Sequence, residues 1–321
     1  MSVNRRTFIA AAAPALWLGP ASGREKDLRI FVGFESGGGA DAVARTIAAQ
    51  LQRRISRRVV VENRTGQFGA LPGEIIKKGT PDAADLALLS STTLVSRLGS
   101  RVFPFDPVSD LAPLTKVGNF SIAFAVAPQL EPGSFNNYLD WIRKGDPQRR
   151  RIAVSSNITF VEVLNVLLSR SIGTQLEPVQ YRGSADILAD MRDGRIFATV
   201  NTTTSLLPPH RGRRCRILMT TGSRRLAAAP DVPTASELGY SSLDMEEWFA
   251  FFAPPTTPAP VLAQLNGQLR TTIEDQEVID SLRPLGLEVE TDEPGQLVKL
   301  IEAHRRGWQA RMTATGVPVL N

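Results

Sequence analysis

The sequence predicts an α/β fold with largely parallel sheets covered by helices, and three observations carry that expectation. Short apolar runs of strand length alternate with helix-period stretches almost throughout. Several helix ends carry readable caps, among them Asp41, Ser134 and Gly173. Hydrophobic residues make up 42% of the chain and charged ones 21%, which excludes disorder and supports substantial cores. At 321 residues the chain is long enough for two domains.

At the N-terminus, Asn4-Arg5-Arg6-Thr7-Phe8-Ile9 sets paired arginines ahead of apolar Ala10 to Leu18, and Ala21-Ser22-Gly23 offers small residues for cleavage. Residues 1–23 are expected to be a twin-arginine-type signal peptide, which makes the mature protein exported. Its apolar stretch falls short of the roughly 18 residues that a membrane span needs. Removing Arg5 and Arg6 takes the formal charge from +5 to +3.

The run 28–34 reads as the first strand. It breaks into Gly37-Gly38-Gly39 and Asp41 before a helix over 40–55. Glycines let backbone approach a ligand, and the free N–H groups of a helix start attract a carboxylate or phosphate. Apolar runs then predict strands at 57–62, 86–90 and 121–127, with a helix at 69–78. Further along, strands are expected at 151–155, 177–181, 196–201, 215–221, 247–253 and 286–290. Helices are expected at 134–144, 159–171, 184–192, 259–273, 276–284 and 293–312. Pro128 and Pro254-Pro255 each stop a strand where the chain can change partners. Two crossings there place residues 24–128 and 249–321 in one lobe and 129–247 in the other, with the ligand in the cleft between them.

Other chemistries find little support. The basic clusters Arg149-Arg150-Arg151 and Arg211 to Arg216 lack interleaved aromatics and read as solvated surface, so no nucleic-acid partner is expected. Cys215 is a lone cysteine in an apolar run, and its expected fate is burial in a strand. His210 and His304 fit no metal-ligand spacing, no G-x-S-x-G elbow is present, and neither a catalytic residue nor a cofactor is assigned. One rival is a nicotinamide-dependent dehydrogenase, because Gly37-x-Gly39-x-x-Ala42 opens a helix and Glu62 lies where a ribose-binding acid would stand. Against it, Phe34-Glu35-Ser36 separates strand from glycines.

Collinear motifs point elsewhere. Gly33 to Asp41 resembles the pattern P-F-x-P-G-G-x-x-D, and Val59-Val60-Val61-Glu62-Asn63-Arg64-Thr65-Gly66 is similar to V-V-V-E-N-R-P-G. Phe105-Asp106-Pro107 through Leu114, Val179-Gln180-Tyr181-Arg182-Gly183-Ser184, Leu226 to Thr234, and Trp248-Phe249 before Ala253-Pro254 follow in the same order. Over the whole mature length the chain resembles the Bug family, the TctC-like extracytoplasmic solute receptors of tripartite tricarboxylate transport systems. The resemblance implies a two-lobed periplasmic binding protein fold (type II-like) that closes on a small organic acid and delivers it to membrane permease subunits. It implies a monomeric binding protein and no enzyme. A receptor that signals to a membrane sensor shares these motifs.

Carried over by position, the first-lobe contacts are Phe34, Gly38 and Asp41, with Ser91 and Thr92. The second-lobe contacts are Ser156, Thr159, Tyr181, Gly183, Ser184 and Asn201. The chain departs from the pattern at Glu35 and Ser36, which replace small or proline residues and set a carboxylate near the site. Ile158 and Phe160 stand in place of a small, Gly-rich turn, and they are expected to narrow the pocket or to favour an apolar ligand tail.

Overall fold

The computed structural model describes residues 26–155 and 158–319. The expected signal peptide and Ser156 lie outside the described residues.

The chain runs β1 (Leu28–Val32), α1 (Gly39–Gln52), β2 (Val59–Asn63), α2 (Leu71–Lys77), β3 (Asp85–Ser90), α3 (Ser91–Gly99), β4 (Ala112–Val126) and α4 (Phe135–Arg143). It continues with β5 (Arg151–Val154), α5 (Ile158–Ile172), β6 (Glu177–Gln180), α6 (Ser184–Arg192), β7 (Ala198–Thr202), α7 (Thr203–Arg211) and β8 (Arg216–Thr220). Last come β9 (Glu246–Ala253), α8 (Ala259–Ile273), α9 (Gln276–Leu282), β10 (Glu288–Val289) and α10 (Pro294–Thr315).

Strand order is β2-β1-β3-β9-β4-β7-β5-β6, with β8 and β10 also on β4. The flanks are parallel as expected: β1 pairs with β2 and β3, and β5 with β6 and β7. The centre corrects the expectation of largely parallel sheets, because β4 lies antiparallel to β7, β8, β9 and β10, and β3 lies antiparallel to β9. β4 is the hub of the two-lobed fold. Its residues Ala112–Ser121 run beside β9, and Ile122–Val126 run beside β7 and β8.

Both faces of the central strands are covered, which explains their unbroken hydrophobic runs. In β9, Trp248, Ala250 and Phe252 face one cluster with Phe31, Leu89 and Phe105, while Phe249 and Phe251 face the larger core. In β4, Ala123 and Ala125 pack on Ile187, Met191 and Leu206 beneath α6 and α7, while Ile122 and Phe124 join the larger core. Cys215 is buried with this second-lobe cluster, and burial raises its thiol pKa to about 12, so it is inert.

Two helices have no counterpart in the expected elements. α3 grows directly from the end of β3, with Ser90 as N-cap accepting from the Thr92 N–H. α7 contains Pro208 and Pro209, which read as helix breakers. It survives because it is short and buried: Leu206, Leu207 and Pro209 are covered, and its first residue, Thr203, is tied to β4 through a hydrogen bond from Ser121 N to Thr203 Oγ1 at 3.2 Å.

Candidate functional site

A cavity of about 240 Å³ opens where the two halves of the chain meet. The glycine loop and first turn of α1 form one wall, through Phe34 to Ala40. Ser90 and Thr92 enter from the start of α3, Gly183 to Ala185 from the start of α6, and Asn201, Thr202, Thr204 and Ser205 from the end of β7 and the start of α7. Four helix N-termini therefore converge on one space. Each carries N–H groups without helical partners and the positive end of a helix dipole, the arrangement that holds an anion.

The loop conformation is built locally. Gly37 sits at φ +83°, a left-handed backbone that favours glycine. Gly39 is required for space: a Cβ there would lie 2.7 Å from Thr204 Cβ and 2.8 Å from its carbonyl carbon. Gly38 is in an ordinary extended conformation, so the demand for glycine falls on its two neighbours. Gly39 N donates to Ser205 Oγ at 3.4 Å, which brings α1 and α7 together. Thr202 Oγ1 bonds Thr204 Oγ1 and Ser205 Oγ, each at 2.9 Å.

Of the residues named from sequence, Phe34, Gly38, Thr92, Gly183, Ser184 and Asn201 line this cavity. Asn201 Nδ2 donates to Ser155 Oγ at 2.8 Å, while its Oδ1 accepts from Thr202 N. The others stand elsewhere. Asp41 is 2% exposed behind the loop and accepts from Gly37 N at 2.9 Å, Asn63 Nδ2 at 2.9 Å and Arg45 Nε. Burial pushes its pKa up, but the bonds from Arg45, Gly37 and Asn63 outweigh that and hold it below its ordinary value. Asp41 thus fixes the loop from behind. Ser91 is fully buried, donating to Glu247 and accepting from Trp248 N at 2.9 Å. Thr159 is buried against α3, where a Cβ on Gly99 would lie 3.0 Å from Thr159 Cβ.

Tyr181 lines an adjoining outer recess of about 410 Å³, reached past Phe34, Glu35 and Arg182. Its hydroxyl donates to Asp190 at 2.8 Å, and burial together with that carboxylate raises its pKa to about 12. The expected narrowing by Phe160 is not found: its ring is buried 5.1 Å from that of Trp308, away from the cavity. Ser90, Ser155, Thr202, Thr204, Ser205 and Arg214 line the cavity without having been singled out from sequence. The run Thr202-Thr203-Thr204-Ser205 ahead of two leucines was the available signal, a stretch of N-cap residues before an apolar pair. Glu62, the candidate ribose acid, is held by Arg64 at 2.6 Å and is not in the lining.

Comparison with known proteins agrees with the fold. The family model described as "Tripartite tricarboxylate transporter family receptor" matches residues 43–317. The chain is 26% identical to protein BugT of Bordetella pertussis over 312 residues, covering 96% of this chain and 95% of that one. It superposes on the periplasmic binding protein BugD with a TM-score of 0.84 at 21% identity, covering 92% and 99% of the two chains. The R. palustris protein Rpa4515, solved with adipate, superposes with a TM-score of 0.84 at 24% identity over the same shares.

Proposed function

Because the chain belongs to the tripartite tricarboxylate transporter receptor family, TctC, we propose that it binds a small organic acid in the periplasm and hands it to the membrane subunits of such a transporter. The observation that carries this reading is the convergence of the N-termini of α1, α3, α6 and α7 on one cavity. A carboxylate placed there accepts several N–H and hydroxyl hydrogen bonds at once, and charge-assisted bonds are the stronger kind. The similar protein Rpa4515 was solved with a dicarboxylate, which supports an acid ligand.

The ligand contacts are assigned to Phe34, Gly38, Thr92, Gly183, Ser184 and Asn201, joined by Thr204 and Ser205 of α7. Asp41, Ser91 and Thr159 hold the helices that carry these contacts. The lobes are residues 24–128 with 249–321, and residues 129–247, with the end of β4 lending its last residues to the second sheet. Export follows the twin-arginine-type signal of residues 1–23, the working unit is a monomer, and the ligand is released unchanged.

Native mass spectrometry of the protein purified from cells, followed by calorimetry with mono- and dicarboxylates, aromatic acids and amino acids, tests the reading. Stoichiometric, reversible binding of an acid is the expected result. Consumption of the ligand, or a retained nicotinamide cofactor, would overturn it.

A further inference from the structure

Three charged side chains line the cavity, Glu35, Arg182 and Arg214, and none of them makes an ion pair among the described residues. Glu35 is half-buried, and among the described residues its carboxylate accepts no hydrogen bond and makes no ion pair. It reaches from the glycine loop of the first lobe to the second: a Cβ built on Gly183 would lie 2.7 Å from Glu35 Oε2. Arg182 and Arg214 also line the cavity, yet both are exposed and neither pairs with it. A carboxylate can only accept, so the group that Glu35 lacks is a hydrogen-bond donor.

We propose that Glu35 selects the ligand, so that the site prefers organic acids bearing an ammonium or N–H group over plain dicarboxylates. The proposal rests on the reading of the cleft as an acid site. The ligand carboxylate lies toward the starts of α1, α3 and α7, where donors gather, and the nitrogen lies toward Glu35. A second feature of the wall acts in the same direction. Pro208 and Pro209 also line the cavity and carry no N–H, so this part of the wall offers a ligand anion no backbone donor. A ligand carboxylate placed against Glu35 meets like charge at short range, whereas an ammonium there gains a charge-assisted hydrogen bond.

The test is calorimetry on the wild-type protein and Glu35→Gln with pairs matched in shape: succinate and 3-aminopropanoate, glutarate and 4-aminobutyrate, malate and aspartate. The expected result is that the wild type binds the amine of a pair at least about tenfold more tightly, and that Glu35→Gln brings the two within about threefold. Thermal unfolding of the variant confirms that it is folded. Tighter binding of the amine-free acid of each pair, a preference that survives in Glu35→Gln, or binding confined to acids outside these pairs overturns the inference while leaving the receptor reading intact. If no acid of any kind binds, the receptor reading itself fails.

Discussion

Gly39 and Asp41 do most to shape the site at the scale of single residues. Gly39 lets α1 and α7 touch, and a methyl group there meets the Thr204 backbone as well as its side chain. Gly39→Ala is therefore expected to weaken acid binding by about tenfold or more, roughly 1.4 kcal/mol, in calorimetry. Wild-type affinity in that variant would show that the α1–α7 contact is absent from the bound form. Asp41→Asn keeps the shape but loses the charge facing Arg45, and it is expected to cost about 1–3 kcal/mol of stability near neutral pH. The folded pKa of Asp41 lies below its ordinary value near 3.8, so its contribution is present above that ordinary value and is lost as pH falls through the folded one. Melting curves of wild type and Asp41→Asn are expected to converge below about pH 4. A gap that widens with acid would mean that Asp41 is not held as a carboxylate.

Among the elements, α3 depends most on tertiary anchoring. Its first residue, Ser91, donates to the fully buried Glu247 of β9, which also accepts from Trp308 Nε1 at 3.1 Å and lies 2.9 Å from His304 Nε2, both on α10. One carboxylate thus ties the start of α3 to β9 and α10, holding Ser90 and Thr92 at the cavity. Ser91→Ala removes a donor from Glu247 and an acceptor from Trp248 N. We expect a loss of about 1–3 kcal/mol and a fall in Tm of roughly 2–4 °C for each kcal/mol, read by thermal unfolding. An unchanged Tm would show that the Ser91–Glu247 bond contributes nothing.

For the whole molecule, β4 is the strand that joins the β9 side of the sheet to the β7 and β8 side. A ligand held by α1 and α3 on one side and by α6 and α7 on the other binds the closed arrangement better and shifts the population toward it. Small-angle scattering with saturating acid is expected to give a smaller radius of gyration than the ligand-free protein. An unchanged radius, with binding confirmed on the same sample, would mean that the lobes do not close on that ligand.

Most elements were legible in the sequence because strand and helix periods are written in neighbouring residues: the unbroken run Trp248 to Ala253 and the capped start at Ser134 needed no distant partner to be read, whereas Asp41, read as a cap, lies in the first turn of α1 behind the N-cap Gly38. The glycine loop and the Tyr181-Arg182-Gly183-Ser184 turn were legible for the same reason, as were the family motifs. What lies across the fold was not. The antiparallel pairing of β4 with β9 joins segments more than a hundred residues apart, and no local pattern encodes strand direction or register over that separation. α7 was hidden because Pro208 and Pro209 oppose a helix locally, and only its burial against the second-lobe core offsets them. Sequence motifs marked loops that line the cavity. Only tertiary packing decided which side of each loop faces the cavity, turning Ser91, Asp41 and Tyr181 toward Glu247, Arg45 and Asp190, because a buried polar group goes where its hydrogen-bond partner stands.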